Sequence, residues 1–545
     1  MSAPLEKFNF CFISGKFFWN FDVSGRMTII LFSSLFLWRG FMTAIAILLV
    51  SFIVKFVIKP LYLCSFYQQQ GMPRGRFFPV MGYVFYSVNS PGNKKGDPYF
   101  YFKELRKAQP DGKSTMVFPY MDTAQILIGE LSDFQQFIAL QTKYYAKDPY
   151  FVGPLIETIG KGLLCTEFDK WKTQRKLVSQ AFHFEFIQEN LPLVARTADD
   201  IIRQFPFNGR STITIKAIEE YQKITGDVVC KIFFGQQVSN KILFGKPLSG
   251  ALAEIMTGLA AYAASFPNFL FGPKFQKLGI RKKDRELNEK IKMFRATLGE
   301  MIRDEKEALA KGTAKGKEGS LARLLLEEVD ENGLKLTEEE VLHQFMTFFL
   351  AGMDTTAHLA GIVTYYLCTY PKYKDEIIKE LDQFIKDEQD LIIENLNKLD
   401  LFTNFIKETL RLNTPIAGVL PRIATEDHTL GKYKIKKGTI VNSIFFYINC
   451  FDERYFPNPS EFRPERWAGA DAPDKKHSPF VFTPFSAGAR NCIGQHLAQL
   501  EAKIIIWTML KRFKISLPPD FKLRMVQRFT LEPEDDIPLI IERIS

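Results

Sequence analysis

The chain has 545 residues, too many for a small module, which fits one large domain with additions or two to four ordinary domains. With 46% apolar and 24% charged residues, its composition is that of a globular protein. The net charge of +10 is scattered, without a Lys/Arg block or a basic stripe among aromatics, so nucleic acid is excluded as the expected partner. The seven cysteines form no C-x-x-C pair, which indicates a reducing compartment without a disulfide framework or a zinc cluster.

Two apolar runs lie near the N-terminus. Met27–Trp38 is too short to span a bilayer, whereas Phe41–Ile58 approaches the roughly 20 residues that a spanning helix needs. No small-residue cleavage pattern follows, so we predict an uncleaved anchor at 27–58 with its spanning helix at about 41–58. A buried core helix is the alternative. Basic residues are more frequent after the span than before it, which places the C-terminal part in the cytosol. We expect residues 1–26 to be an N-terminal extension outside the native chain.

A Gly- and Pro-punctuated hinge is predicted at 59–80, followed by one large domain at 81–545 in which helical patterns dominate. Thr337 and Glu340 form a capping-box pattern before an apolar run of about thirty residues that ends at Pro371. A helix that long and that apolar must cross the middle of a large domain. Other runs predict one more long helix and two strands, at Arg281–Gly312, Tyr433–Val441 and Pro538–Ile544. The predicted fold class is mainly α with small β-sheets (α+β).

The sequence PFSAGARNCIGQHLA places one cysteine, Cys492, just before a helical pattern. A packed thiol, a nucleophile and a metal ligand are the alternatives, and the neighbouring residues favour the ligand. The start of a helix favours a thiolate because its N–H groups are unpaired and its dipole end is positive. Gly488 and Gly494 would allow tight turns and a close approach of the backbone to a flat cofactor. Arg490 suits a cofactor carboxylate, and Phe485 would keep water from the sulfur.

The string FSAGARNCIG resembles the haem-binding loop of the cytochrome P-450 family, F-x-x-G-x-R-x-C-x-G, at all five fixed positions. Other matches follow in the family's chain order, over roughly residue 68 to the C-terminus. WKTQR resembles the C-helix W-x-x-x-R, which implies that Trp171 and Arg175 contact the haem propionates. Arg422, in GVLPR, resembles a further propionate contact. Taken alone, the Trp/Arg pair would fit residues that cover the edge of a core.

ETLR resembles the E-x-x-R of the family's K helix, and PERW resembles the segment that completes its salt-bridge triad. The resemblance therefore implies a structural cluster of Glu408, Arg411 and Arg466. An E-x-x-R pair by itself would equally fit a solvated ion pair on a helix.

AGMDTT resembles the oxygen-binding segment of the family's long I helix. Gly352 and Thr355 share a helix face, and a threonine hydroxyl that bonds back to a carbonyl makes room for oxygen and water. Asp354 beside Thr355 forms an acid–alcohol pair suited to proton relay, although Thr355 would also fit a residue of helix packing. Some fatty-acid hydroxylases of the family have a covalently bonding glutamate where this chain has Ala351. We therefore expect non-covalent haem b with a cysteine thiolate as axial ligand.

The resemblance implies a haem-thiolate monooxygenase anchored in the endoplasmic reticulum membrane by a single span, with its catalytic haem domain in the cytosol. The chain has no convincing dinucleotide fingerprint, so electrons must come from a separate protein, NADPH–cytochrome reductase, with cytochrome b5 as a second candidate. Apolar segments at 147–162 and 262–275 suit a lipophilic substrate taken from membrane lipid, such as a fatty acid, sterol or xenobiotic. The alternatives are a haem-thiolate isomerase or dehydratase acting on a peroxide, and a non-catalytic haem sensor.

Overall fold

The structure is a computed structural model. It describes residues 27–75, 97, 100, 103–104, 115–180, 182–235, 241–263, 265, 272–311, 320–327, 329, 333, 335–416, 418–443, 450–527 and 530–544. The proposed extension at 1–26, the end of the predicted hinge and half of the apolar segment at 262–275 lie outside these residues.

Helices dominate the described residues, as the sequence predicts. The α-helices are α1 Met27–Ile53, α2 Lys59–Gln68, α3 Leu131–Leu140, α4 Pro149–Ile159, α5 Phe168–Gln180, α6 Phe184–Arg203, α7 Ala217–Phe234, α8 Leu248–Ala263, α9 Lys282–Ala310, α10 Leu321–Glu327, α11 Glu338–Thr369, α12 Pro371–Phe384, α13 Ile393–Asn397, α14 Asp400–Leu412, α15 Pro473–Lys476 and α16 Gln495–Arg512.

The strands are short and form small sheets. They are β1 Met116–Tyr120, β2 Thr123–Leu127, β3 Tyr145–Lys147, β4 Thr212–Lys216, β5 Ile242–Leu243, β6 Lys246–Pro247, β7 Val419–Ala424, β8 His428–Leu430, β9 Tyr433–Ile435, β10 Ile440–Ser443, β11 Phe513–Ser516, β12 Met525–Gln527, β13 Leu531–Pro533 and β14 Pro538–Arg543. The order is β1-β2-β10-β7-β3 in a five-stranded sheet and β11-β14-β4 in a three-stranded one. The pairs β12–β13, β5–β6 and β8–β9 form two-stranded sheets.

The long apolar helix predicted before Pro371 is α11, and it crosses the main hydrophobic core. Its N-terminus is fixed by the predicted capping box. The hydroxyl of Thr337 accepts from the N–H of Glu340 at 3.2 Å, and the Glu340 carboxylate accepts from the N–H of Thr337 at 3.1 Å. The helix ends before Pro371, which has no N–H to continue it. It packs against α7 and α16, which places its middle turns deep in the protein.

The N-terminal apolar region is one continuous helical segment rather than two pieces. It runs through the Arg39-Gly40 break into a π-helical turn at Val54–Ile58 and on into α2. The predicted hinge therefore begins later than expected, after Gln68. The widened π turn comes directly before Pro60, whose ring would otherwise meet the carbonyl of the preceding turn. Trp38–Gln68 is long and apolar enough to cross a membrane, and its apolar window is not buried in the protein.

The strand-like run Tyr433–Val441 forms two strands that belong to different sheets. β9 pairs with β8, whereas β10 lies between β2 and β7. The prediction of a single strand was wrong because the run contains Gly438, whose φ of +83° turns the chain. The strand predicted at Pro538–Ile544 is confirmed as β14.

Candidate haem site

Cys492 lies just before α16, whose N-cap is Gly494. Its N–H donates to the carbonyl of Phe485 at 2.9 Å and closes the loop between them. The side chain has accessible surface, yet burial raises the pKa of the thiol. These two observations agree when the accessible surface faces an internal cavity. The N–H of Gly494 and the charge of Arg175 act against burial and lower the pKa of the thiol, so both favour the thiolate. A bound metal cation would stabilise the thiolate further.

Arg175, on α5, holds the loop that carries Cys492. Its two terminal nitrogens donate to the carbonyl and to the side-chain oxygen of Asn491, both at 2.9 Å. The predicted partner Trp171 is buried on the same helix, and its ring lies 3.8 Å beneath the guanidinium of Arg490. The expected pair thus positions the residues beside the cysteine.

Three buried cations surround one carboxylate, and we call Lys147, Arg422, Arg490 and Glu167 the cationic cluster. Arg490 donates to Glu167 at 2.8 Å and to the carbonyl of Thr166 at 2.9 Å. Arg422 and Lys147 approach Glu167 at 3.7 and 3.8 Å. Burial lowers the pKa of Lys147 to about 7. The charge of Glu167 raises this pKa, whereas the charges of Arg422 and Arg490 lower it further.

The cationic cluster has more donors than the protein satisfies. Nε and Nη1 of Arg422 and Nε of Arg490 are buried and have no hydrogen-bond partner among the described residues. Buried guanidinium N–H groups are rarely left unpaired, and carboxylates match their geometry. The cluster therefore fits a ligand with more than one negative charge.

The predicted glycines differ in what a side chain would meet at each position. Gly488 has φ +69°, and a Cβ there would lie 2.6 Å from Ile138, so this glycine permits a close contact between the cysteine loop and α3. A Cβ on Gly352 would lie 3.0 Å from Val229, which shows that this glycine permits close contact between α11 and α7. At Gly494, the nearest atom to a Cβ would be the Cys492 sulfur at 4.0 Å.

The middle of α11 carries the predicted acid–alcohol pair. Ala351 is exposed although Leu350 and Met353 beside it are buried, so an accessible surface opens inside the core. The Thr355 hydroxyl donates to the Ala351 carbonyl at 2.5 Å, the back-bond that the sequence suggested.

Asp354 contacts α7 through a hydrogen bond. Its carboxylate accepts from Nε2 of Gln222 at 3.0 Å. Burial and, next, the charge of Glu532 raise the pKa of Asp354 to about 6. A carboxyl that titrates near neutral pH can both take up and release a proton.

Glu408, Arg411 and Arg466 form one buried cluster apart from the cysteine loop. Arg411 donates two bonds to Glu408, at 2.8 and 2.9 Å, and Arg466 donates another at 2.9 Å. Two donors that the sequence did not reveal also reach this carboxylate, the Trp467 indole and the N–H of Arg463, each at 2.9 Å. Such a fully bonded buried carboxylate fixes the chain between α14 and the PERW turn.

The comparisons with known proteins agree with this geometry. The family model described as Cytochrome P450 matches residues 72–540. The chain is 30% identical over 374 residues to Cytochrome P450 4V2 of Pongo abelii, covering 66% of this chain and 69% of that protein. It is 28% identical over 391 residues to a Cytokinin hydroxylase of Arabidopsis thaliana, covering 70% and 72%. The crystal structure of the cytochrome P450DA heme domain superposes with a TM-score of 0.71 at 21% identity, covering 87% and 98%.

The chain belongs to the cytochrome P450 family. Enzymes of this family are haem-thiolate monooxygenases that use dioxygen, a lipophilic substrate and a redox partner, and their haem has a cysteine thiolate as axial ligand. The residues of this P450 fit that cofactor. Cys492 is an accessible residue whose sulfur has one N–H donor and one nearby positive charge, and the cationic cluster has N–H groups unpaired among the described residues for two propionates. The apolar helix Trp38–Gln68 suggests a membrane anchor.

Sequence reasoning missed several residues of this P450 site. Glu167 and Lys147 carry no motif, and Lys147 opens a segment that we assigned to substrate. Gln222 and Glu532 act on Asp354 from positions more than 130 residues away along the chain. A sequence signal existed only for Glu167, an acid one helical turn before Trp171.

Proposed function

We propose that this P450 inserts one oxygen atom of O₂ into a fatty acid, sterol or xenobiotic, using electrons from NADPH–cytochrome reductase or cytochrome b5. We place it in the endoplasmic reticulum membrane, with a single span and the catalytic domain in the cytosol. One observation carries the reaction class: Cys492 precedes α16 with an accessible sulfur, which the N–H of Gly494 and the charge of Arg175 favour as thiolate. The positive net charge supports an acidic redox partner.

Cys492 has the role of axial ligand. When bound, haem supplies the iron on which dioxygen is activated, and a thiolate ligand makes that iron electron-rich. Arg175 holds the loop through Asn491, so the sulfur is fixed before any cofactor binds. This preorganisation follows from helix and loop geometry alone.

The cationic cluster would orient the propionates. Arg422 and Arg490 offer unpaired N–H groups, and Lys147 adds a buried ammonium. Since the protein supplies one carboxylate for three cations, two ligand carboxylates would complete the hydrogen bonding and the charge balance. Ala351, which stands where some relatives bond haem covalently, leaves the cofactor non-covalently held.

Thr355 and Asp354 would supply protons to the cavity. Substrate–H, O₂, two electrons and two protons give substrate–OH and water, so two protons must reach the cavity in each turnover. Thr355, whose hydroxyl already bonds the Ala351 carbonyl, can hold a proton or water beside it. Asp354, whose pKa is about 6, can supply a new proton to that position. A peroxide isomerase or a haem sensor would not need this pair.

The test replaces the proposed ligand. In Cys492→Ala, the reduced carbonyl complex should lose the long-wavelength Soret band that thiolate ligation gives, because the proposed thiolate donor is gone. Absorbance spectra of the dithionite-reduced, CO-saturated protein measure this. Cys368→Ala, at another free cysteine, is the matched control and should keep the band. Persistence of the band in Cys492→Ala would remove the basis of the proposal.

A further inference from the structure

A second group of polar residues lies behind Asp354, between α11 and the C-terminal hairpin of β12 and β13. His358 is one helical turn after Asp354, so both project from the same face of α11. The Thr530 hydroxyl donates to Oε2 of Glu532 at 3.0 Å and lies 3.3 Å from Nδ1 of His358. Nε2 of His358 is 3.9 Å from the same carboxylate oxygen. Glu532 is thus held in place by two side chains.

Glu532 connects this interior group to the outside. Its side chain retains 18% exposure, whereas His358 beside it retains 4%. The hairpin presents Glu532 opposite Val526, so the carboxyl projects from the strand toward α11. A carboxyl that contacts both solvent and a buried group can exchange protons with both.

His358 relates the two carboxyls in space, since it lies one turn after Asp354 on α11 and 3.9 Å from Glu532, and the charge of Glu532 contributes to raising the pKa of Asp354. Among the described residues, Gln222 of α7 supplies the hydrogen bond to Asp354, and Glu532 supplies the charge that acts on it. Residues 528 and 529, between the hairpin strands, lie outside the described residues. Like charges at close range cost stability unless they share a proton. If Glu532 only fixed the hairpin of β12 and β13 to α11, an acid would not be needed at this position. Thr530 and His358 could form hydrogen bonds with an amide side chain equally well.

We propose that Glu532 is the solvent-side proton relay of this P450, passing protons from water to Asp354, with His358 and Thr530 as its positioning residues. The inference rests on the proposed function and deepens it. For each proton, Glu532 takes one from solvent and gives one to Asp354, directly or through a bridging water. Asp354 gives one to the Thr355 position, so neither carboxyl changes its net protonation. The electrons come from the redox partner and do not pass through these residues.

The decisive variant is Glu532→Gln in the full-length holoenzyme, with lauric acid and other lipophilic probes as substrates. Peroxide released per NADPH oxidised should rise on the order of tenfold, because protons arrive late. The solvent deuterium isotope effect on turnover should also increase. Glu532→Asp keeps an acid and should restore much of the coupling. Glu534→Gln, just past the same strand and outside this group, is the matched control and should behave as wild type.

A second readout does not use turnover. The infrared carboxyl band of Asp354, assigned by its loss in Asp354→Asn, should titrate at lower pH in Glu532→Gln, since one negative neighbour is gone. This shift tests whether the charge of Glu532 reaches Asp354, whereas the peroxide yield and the isotope effect distinguish a relay from a purely structural clamp. The thermal midpoint and the CO spectrum show whether each variant folds and binds haem. If Glu532→Gln does not fold, Glu532→Ala removes the same charge and provides the comparison.

The results separate the two proposals. Unchanged coupling, isotope effect and Asp354 titration in folded Glu532→Gln would overturn the relay. If wild type formed no oxygen-dependent product with any probe, the monooxygenase proposal would fail. If the Asp354 titration in Glu532→Gln still moved to lower pH, the charge coupling between the two acids would nevertheless be supported.

Discussion

Glu167 shows how a residue without a motif decides the charge of the site. Three cations converge on it, and burial lowers the pKa of Lys147 to about 7 in spite of this carboxylate. The Glu167 carboxylate offsets part of the positive charge of the cationic cluster before haem binds. Guanidinium N–H groups that are unpaired among the described residues remain for the ligand. The haem pocket is therefore preorganised by partial neutralisation rather than by bare positive charge.

Replacing Glu167 by glutamine should lower the free energy of unfolding of the haem-free protein by about 2 kcal/mol, because buried cations lose their counterion. The loss should shrink with haem bound, since two propionates supply charge. Urea denaturation with and without haem measures both values. Glu394→Gln, which removes an exposed ion pair with Lys398, is the control and should leave the free energy of unfolding nearly unchanged. An equal loss in both states would contradict this role of Glu167.

Thr355 can be tested separately from Asp354. Thr355→Ala should bind haem normally and release more peroxide per NADPH, on the order of tenfold, because the hydroxyl beside the Ala351 carbonyl is gone. Thr355→Ser keeps the hydroxyl and is the matched control. Peroxide and product are measured against NADPH consumed. Equal coupling in the alanine and serine variants would show that Thr355 only packs the helix.

At the scale of elements, α11 and α16 bring the two halves of the site together. α11 carries Ala351, Asp354 and Thr355, and α16 begins just after Cys492. Gly352 lies against Val229 of α7, where a Cβ would be 3.0 Å from that side chain. This part of the motif therefore also serves helix packing.

α16 carries a buried acid, Glu501, whose Oε1 has no hydrogen-bond partner in the part of the chain that the structure describes. Burial raises its pKa to about 8, so it is protonated in the fold and ionised in the unfolded chain at neutral pH. Its contribution to stability is therefore present below the unfolded pKa of 4.5 and is lost as pH rises toward 8. Glu501→Gln should remove a decline of about 3 kcal/mol between about pH 5 and pH 7. Urea denaturation at several pH values in this range measures the free energy of unfolding of both proteins. The same pH dependence for wild type and Glu501→Gln would contradict the prediction.

For the whole molecule, the exposed apolar helix and the folded P450 domain are different kinds of structure. Trp38–Gln68 has no burial in its apolar window, whereas α11, of similar length, lies mostly within the core. Both read as long apolar runs in sequence, and packing distinguishes them. The free surface of the first suits lipid, which supports the proposed anchor.

The anchor predicts a simple fractionation result. Leu48→Asp with Leu49→Asp places two charges on exposed positions of this helix, at about 3 kcal/mol each in a bilayer. The variant should move from the membrane fraction to the carbonate-extracted supernatant. Met293→Asp, at an exposed apolar position on α9, should stay with the membrane. Membrane retention of the double variant would contradict a spanning role.

The sequence by itself determined the local features of this P450. The spacing around Cys492, the capping box at Thr337 and the long apolar run before Pro371 depend on neighbours within a few turns, so local chemistry suffices to predict them. The continuous N-terminal helix and the split strand at Gly438 already show that local signals misjudge where elements end.

Tertiary structure alone decided which charges meet. Glu167 joins Arg422 and Arg490, and Asp354 meets Gln222 and Glu532, across more than 130 positions of chain. Such pairings depend on how helices pack and on which polar groups burial forces to find partners, and no local pattern records that. The cysteine motif could therefore be read from the sequence, whereas its charge balance and its proposed proton supply required the fold.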